Sequence, residues 1–188
     1  MKVLTLQGSA KKKGNTATAL NWVEEELKSY GHTIEQVYLN SKKINGCLGC
    51  ANCKEKPDEV GCIQKNDVIE ILEKIVDADL TIFASPLYFW GVTSQLKSII
   101  DRSWSLVTGY HTPDHFSLIE NKHQALLITG GGEYDNNAEP TFTAFDRLVK
   151  FYKGKKAGEL FLGSCKTPDT MDIKKKELAI EFAKKISG

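Results

Sequence analysis

The sequence predicts a doubly wound α/β domain built on a parallel sheet, and three observations predict it. Short apolar runs of the kind buried in parallel sheets recur along the chain. Amphipathic helix patterns separate them, and several of the runs end in loops rich in glycine, proline or hydroxyl side chains. No repeat and no linker-like segment interrupts the alternation, so residues 1–188 read as one domain. A chain of that length buries roughly 70% of its unfolded surface, enough for a sizeable core.

The elements follow in order. Val3–Gln7 is strand-like, and a helix is expected from about Thr16 to Tyr30, with Ala17, Leu20, Val23 and Leu27 on one face and Gly31 ending it. Thr33–Leu39 reads as a second strand. Asp67 reads as the N-cap of a helix carrying Val68, Ile71, Leu72 and Ile75. Leu80–Ala84 is a short buried strand that leads through a loop to a helix with Leu96, Ile99 and Ile100. A polar excursion from Thr108 to Asn121 precedes a strand at Ala125–Thr129. A helix near Thr141–Phe151, a strand near Glu159–Leu162 and a basic helix from about Asp169 complete five strands and five helices.

In such sheets ligands bind at the carboxyl ends of the strands. The loop Gly8-Ser9-Ala10-Lys11-Lys12-Lys13-Gly14-Asn15-Thr16 runs from a strand directly into a helix, and that arrangement offers free N–H groups and a helix dipole to a phosphate. Its glycines lie one residue too far apart for a nucleoside-triphosphate loop, and Asn15 stands where that loop needs lysine. No second glycine follows Gly8 at the spacing of a dinucleotide fingerprint. A compact terminal phosphate held by hydroxyls and backbone remains. Two further loops come from strand ends: Ser85-Pro86-Leu87-Tyr88-Phe89-Trp90-Gly91, whose aromatics call for a flat partner or another subunit, and Thr129-Gly130-Gly131-Gly132, whose glycines permit close backbone approach.

Together with Gln95-Leu96-Lys97 and Asp101-Arg102, these three loops resemble the NADPH-dependent FMN reductase group of the flavodoxin-like superfamily. The resemblance implies a flavodoxin-like three-layer sandwich with a five-stranded parallel sheet in the order 2-1-3-4-5. It implies that Ser9, Asn15 and Thr16 bind the FMN phosphate with Lys11 flanking it. Pro86, Leu87, Tyr88, Phe89 and Gly91 would then line the flavin, as would Thr129, Gly130 and Gly131. It further implies a homodimer or homotetramer, NAD(P)H as electron donor, and a small molecule or protein as acceptor.

Four of the five cysteines fall within sixteen residues, in a loop at about 44–66, as C-x2-C-x2-C-x8-C through Cys47, Cys50, Cys53 and Cys62. Such spacing lets three thiolates converge on a small cluster that a fourth can close. Zinc, a redox dithiol and a metal-free loop are the alternatives. The pattern resembles the iron–sulfur flavoprotein branch of the same family, which implies a [4Fe-4S] cluster. The final gap, with Pro57 inside it, is longer than that branch's, so Cys62 is the ligand the pattern fixes least. Cys165 reads as a buried apolar residue. His111, Asp114 and His115 read as solvated loop residues, and the terminal lysines as a solvated helix face.

Net charge of +1 argues against a dedicated nucleic-acid binder. No apolar run approaches the ~20 residues of a membrane helix, and a cytoplasmic location is expected. The expected activity is electron transfer from NAD(P)H through FMN to an acceptor, with no side-chain acid, base or nucleophile required. An FMN electron carrier without catalysis, or a redox sensor working through the cysteine loop, are the rival readings.

Overall fold

The computed structural model describes residues 1–188 except for the side chain of Pro168. In chain order the elements are β1 (Lys2–Gln7), α1 (Asn15–Ser29), β2 (Thr33–Tyr38), α2 (Val68–Asp77), β3 (Leu80–Pro86) and α3 (Ser94–Arg102). There follow β4 (Val107–Thr108), β5 (Phe116–Ser117), β6 (His123–Thr129), α4 (Glu139–Phe151), β7 (Lys155–Leu162) and α5 (Ile173–Ile186). Five strands form one parallel sheet in the order β2-β1-β3-β6-β7. With the small antiparallel β4–β5 pair set aside, that is the expected 2-1-3-4-5 order.

The period of two along each strand sorts side chains to opposite faces. Val3, Leu80, Ile82, Ala84, Ala125, Leu127, Leu160 and Leu162 pack against α1 and α5, where Leu20, Val23, Leu27, Phe182 and Ile186 are buried. Leu4, Leu6, Phe83, Leu126 and Ile128 point the other way, into a core with Leu72 of α2, Leu96 of α3 and Phe145 of α4. Helices on both faces make the three-layer sandwich. At Gly158 a Cβ would lie 2.9 Å from Ile186 Cγ2, so glycine lets α5 close on the sheet.

Several boundaries differ from expectation for local reasons. Asp67 precedes α2 but caps nothing; its carboxylate accepts the Lys43 N–H at 2.8 Å and so pins the end of the first crossover loop. The last helix starts at Ile173 rather than near Asp169, because Asp172 is the true cap and accepts the Lys175 N–H at 3.0 Å. β7 starts at Lys155, four residues before the apolar signal, because its exposed leading end carries lysines. The polar excursion contains the β4–β5 pair, whose two-residue strands are too short to show periodicity.

Candidate functional site

Strand order reverses between β1 and β3, so the loops that leave their carboxyl ends diverge around a crevice. Backbone bonds hold the walls in place. The Gly8 N–H donates to Ala84 O at 2.7 Å, the Leu87 N–H to Thr129 O at 2.8 Å and the Gly130 N–H to Leu162 O at 2.9 Å. The Thr93 hydroxyl, which also caps α3, donates to Gly8 O at 2.7 Å. A Cβ at Gly8 would lie 3.0 Å from Leu96 Cβ and from Thr93 Oγ1, so glycine leaves room here for a close approach.

The resulting cleft, of about 170 Å³, brings together Ser9, Lys11, Asn15, Thr16, Pro86, Leu87, Tyr88, Thr129, Gly130 and Gly131. Gly14, Cys165 and Lys166 also line it. The last two were missed because the loop after β7 carries no glycine-rich or aromatic signature, although it too leaves a strand's carboxyl end. Gly14 is the N-cap of α1 in extended conformation and supplies no side-chain cap, so the leading N–H groups of the helix have no internal acceptor. Asn15 Nδ2 donates to Cys165 O at 2.9 Å, which fixes the orientation of the amide. Its Oδ1 is buried with no donor among the described residues. The Thr16 and Thr129 hydroxyls are bonded to each other at 2.7 Å, leaving one proton of the pair for a further acceptor. Burial pushes the Cys165 thiol up from its ordinary value.

Phe89 and Gly91 do not line this cleft. They line a neighbouring apolar one, of about 350 Å³, between the Ser85–Gly91 loop, α3 and α4, with Val92, Ile100, Leu126, Ala144 and Leu148 among its walls; Tyr88 borders both. Tyr88 and Gly91 exchange backbone bonds at 2.9 and 3.0 Å across a two-residue turn. Phe89 and Trp90 occupy its centre at φ 46° and 61°, and Phe89 is 94% exposed. Two positive φ values in succession are those of a type I′ turn, for which bulky residues are poorly suited. The glycines at 130–132 are not in the left-handed region. At Gly130 space is tight instead, since a Cβ there would lie 3.0 Å from the Phe161 ring.

The cysteine loop forms a separate site at the other end of α3. Cys47, Cys50, Cys53 and Cys62 all line one cavity of about 80 Å³, together with Arg102, Trp104 and Ser105. Among the described residues no three candidate ligands are placed to hold a single metal ion. Arg102 is 1% exposed; its Nη2 donates to Cys62 Sγ and to Gln64 O, each at 3.2 Å, and its Nη1 to Asn66 Oδ1 at 2.6 Å. Lys54 Nζ donates to Trp104 O and Val107 O, and lies 4.1 Å from the centre of the Trp104 ring. Burial holds the Lys54 ammonium below its usual range, and burial raises the Cys53 thiol against the opposing pull of Lys54. His115 packs against Tyr110 and Phe151 in an aromatic group, while His111 is exposed.

Comparison with known proteins agrees with this architecture. An iron–sulfur flavoprotein of Methanocaldococcus jannaschii is 31% identical over 172 residues, covering 80% of this chain and 85% of the relative. One from Archaeoglobus fulgidus is 39% identical over 102 residues, covering 54% of this chain. The chain spans about half the length of some of these curated relatives, 45% in that case and 55% in a second Methanocaldococcus jannaschii protein. Among solved structures, an FMN-dependent NADH-azoreductase from Bacillus anthracis in complex with FMN superposes with a TM-score of 0.75 at 15% identity, covering 100% of this chain and 99% of that one. An NAD(P)H:quinone oxidoreductase from Methanothermobacter marburgensis superposes with a TM-score of 0.72 at 24% identity, covering 100% and 94%. At those identities the two structures establish a shared fold. The model of the NADPH-dependent FMN reductase family matches residues 1–150, and the chain belongs to that family.

Proposed function

We propose that this protein is an FMN-dependent oxidoreductase that passes electrons from NAD(P)H through bound FMN to a small-molecule or protein acceptor. The observation that carries the reading is the cleft at the ends of β1, β3 and β6, which gathers the phosphate-loop residues and two ring-facing loops in one place. The residues fit the cofactor. The uncapped start of α1 and the spare Thr16/Thr129 proton suit a phosphate, and Lys11 adds charge at the mouth. The orphaned Asn15 Oδ1 suits a ribityl hydroxyl, which is a donor. No atom lies within 4 Å of where a Cβ of Gly131 would be, so the backbone there is open to a flat ring, while Pro86, Leu87 and Tyr88 form the facing wall.

FMN, when bound, supplies hydride and single-electron chemistry. The chain's part is to hold the phosphate, fix the ring between the two loops and keep one face accessible. Phe89 and Gly91, assigned by sequence to the flavin, belong in this reading to the apolar cleft where a flat acceptor would lie beside Tyr88. A homodimer or homotetramer is part of the same proposal, supported by the exposed rings of Tyr88, Phe89 and Trp90. So is a cytoplasmic location; among the described residues no helix is long and apolar enough to cross a membrane.

For the cysteine loop we infer a [4Fe-4S] cluster held by Cys47, Cys50, Cys53 and Cys62. The support is the cavity that all four thiols share, their C-x2-C-x2-C-x8-C spacing, and relatives named iron–sulfur flavoproteins. Anaerobic purification, an absorption spectrum and iron and sulfide analysis test both cofactors together. Bleaching of the flavin by NAD(P)H alone is the expected result. Bleaching only with a partner reductase present would make the protein a carrier, and a protein that cannot take up FMN would end the reading.

A further inference from the structure

Two donor atoms in the wall of the cysteine cavity have no acceptor among the described residues. Arg102 Nε and Ser105 Oγ are both buried and without a hydrogen-bond partner among the described residues, and both residues line the cavity. Arg102 is also a buried cation without a carboxylate: no Asp or Glu lines the cavity, and none of the ion pairs among the described residues includes it. A guanidinium that is 1% exposed and unpaired is expensive to bury unless an anion faces it. Its neighbours are carbonyls, an amide and the sulfur of Cys62. Lys54 adds a second, half-buried cation next to Cys53.

We propose that Arg102, aided by the Ser105 hydroxyl, is the built-in counter-charge of the four-cysteine site, and that it positions Cys62 as the fourth ligand. This rests on the cluster reading above. It also accounts for the long final gap. The stretch between Cys53 and Cys62 is too long to fix the fourth thiol by spacing, and the guanidinium clamps both ends of the turn that follows, at Cys62 and Gln64 on one nitrogen and at Asn66 on the other. Hydrogen bonds to ligand sulfurs and a nearby positive charge both make a cluster easier to reduce, since one electron adds one negative charge without making or breaking a bond.

The test is the cluster's reduction potential in the anaerobically purified holoprotein, titrated with a chemical reductant and read by electron paramagnetic resonance. Three variants are compared: Arg102→Gln, Arg102→Lys and Asn66→Asp. The last keeps the guanidinium but places a carboxylate against Nη1. Arg102→Gln and Asn66→Asp should each make the cluster at least tenfold harder to reduce, about 59 mV lower for one electron. Arg102→Lys should lie between them and the parent, and bound FMN should be unchanged in all three. Loss of iron from Arg102→Gln with FMN retained also supports the proposal, because the fourth ligand is then unclamped. Iron-replete variants that titrate with the parent overturn it and leave the cluster reading standing. If Arg102→Gln does not fold, an unshifted Asn66→Asp overturns the proposal by itself. A parent that contains no iron or sulfide overturns both.

Discussion

At the scale of single residues, the most informative outcome concerns Asn15. Its position after Gly14 predicts a phosphate contact, but the structure divides its polar groups among three directions. The backbone N–H stands at the open helix end, Nδ2 is taken by Cys165 O, and Oδ1 waits for a donor. Asn15→Asp replaces the Nδ2 donor with a second acceptor facing a carbonyl, and sets a negative charge beside the phosphate subsite. FMN affinity should fall by roughly 1.4–2.8 kcal/mol, tenfold to a hundredfold, with the loss reduced in high salt. Fluorescence titration of the flavin-free protein with FMN checks it; equal affinity would remove this loop from the phosphate site. The loop's glycine and hydroxyl pattern was legible in the sequence, whereas the bond to Cys165 was not, because it joins residues 150 positions apart.

At the scale of elements, strand and helix types follow from periodicity and fail where periodicity is short. The β4–β5 pair is two residues a side, and β7 hides its first half behind surface lysines. The Ser85–Gly91 loop shows the other limit. Tyr88 and Phe89 read together as flavin-facing, but only Tyr88 lines the first cleft, and both border the second, with Phe89 at the centre of the tight turn. That turn stores strain, because each non-glycine residue at positive φ costs of order 1–3 kcal/mol. The double replacement Phe89→Asn with Trp90→Gly supplies the residues such a turn prefers. It should raise unfolding stability in urea by about 1–2 kcal/mol while weakening reaction with aromatic acceptors, measured as a higher KM. The Thr141 hydroxyl, which donates to Trp90 O at 2.6 Å, should hold the turn's backbone in both forms.

At the scale of the whole molecule, the alternating pattern made the layered architecture readable, while the polar fastenings between layers were not. Tyr152, at the end of α4, is fully buried and bonded to Ser103. Ser103 itself donates to Ile100 O at 2.6 Å, so the phenol is the donor to the serine. Burial pushes the Tyr152 hydroxyl far above its ordinary value near 10. A raised folded-state pKa contributes stability that is complete below pH 10 and is lost as pH rises through 10 toward the folded value. The protein should therefore weaken steeply in alkali, and Tyr152→Phe should flatten that slope while costing about 1 kcal/mol at neutral pH, as chemical denaturation at several pH values would show.

The same scale gives α3 a consequence of its own. Its first residues stand over Gly8 and its last, Arg102, stands in the cysteine cavity, and a nine-residue helix rises about 13 Å. The cleft proposed for flavin and the cysteine cavity are thus separable units, mounted at opposite ends of one strut and sharing no lining residue. Replacing Cys47, Cys50, Cys53 and Cys62 together by serine should strip iron and leave the FMN stoichiometry intact, by flavin and metal analysis of the same sample. A scaffold arranged this way can gain, lengthen or discard its cysteine loop without rebuilding its flavin site. The two proposed cofactor sites are therefore free to change at different rates.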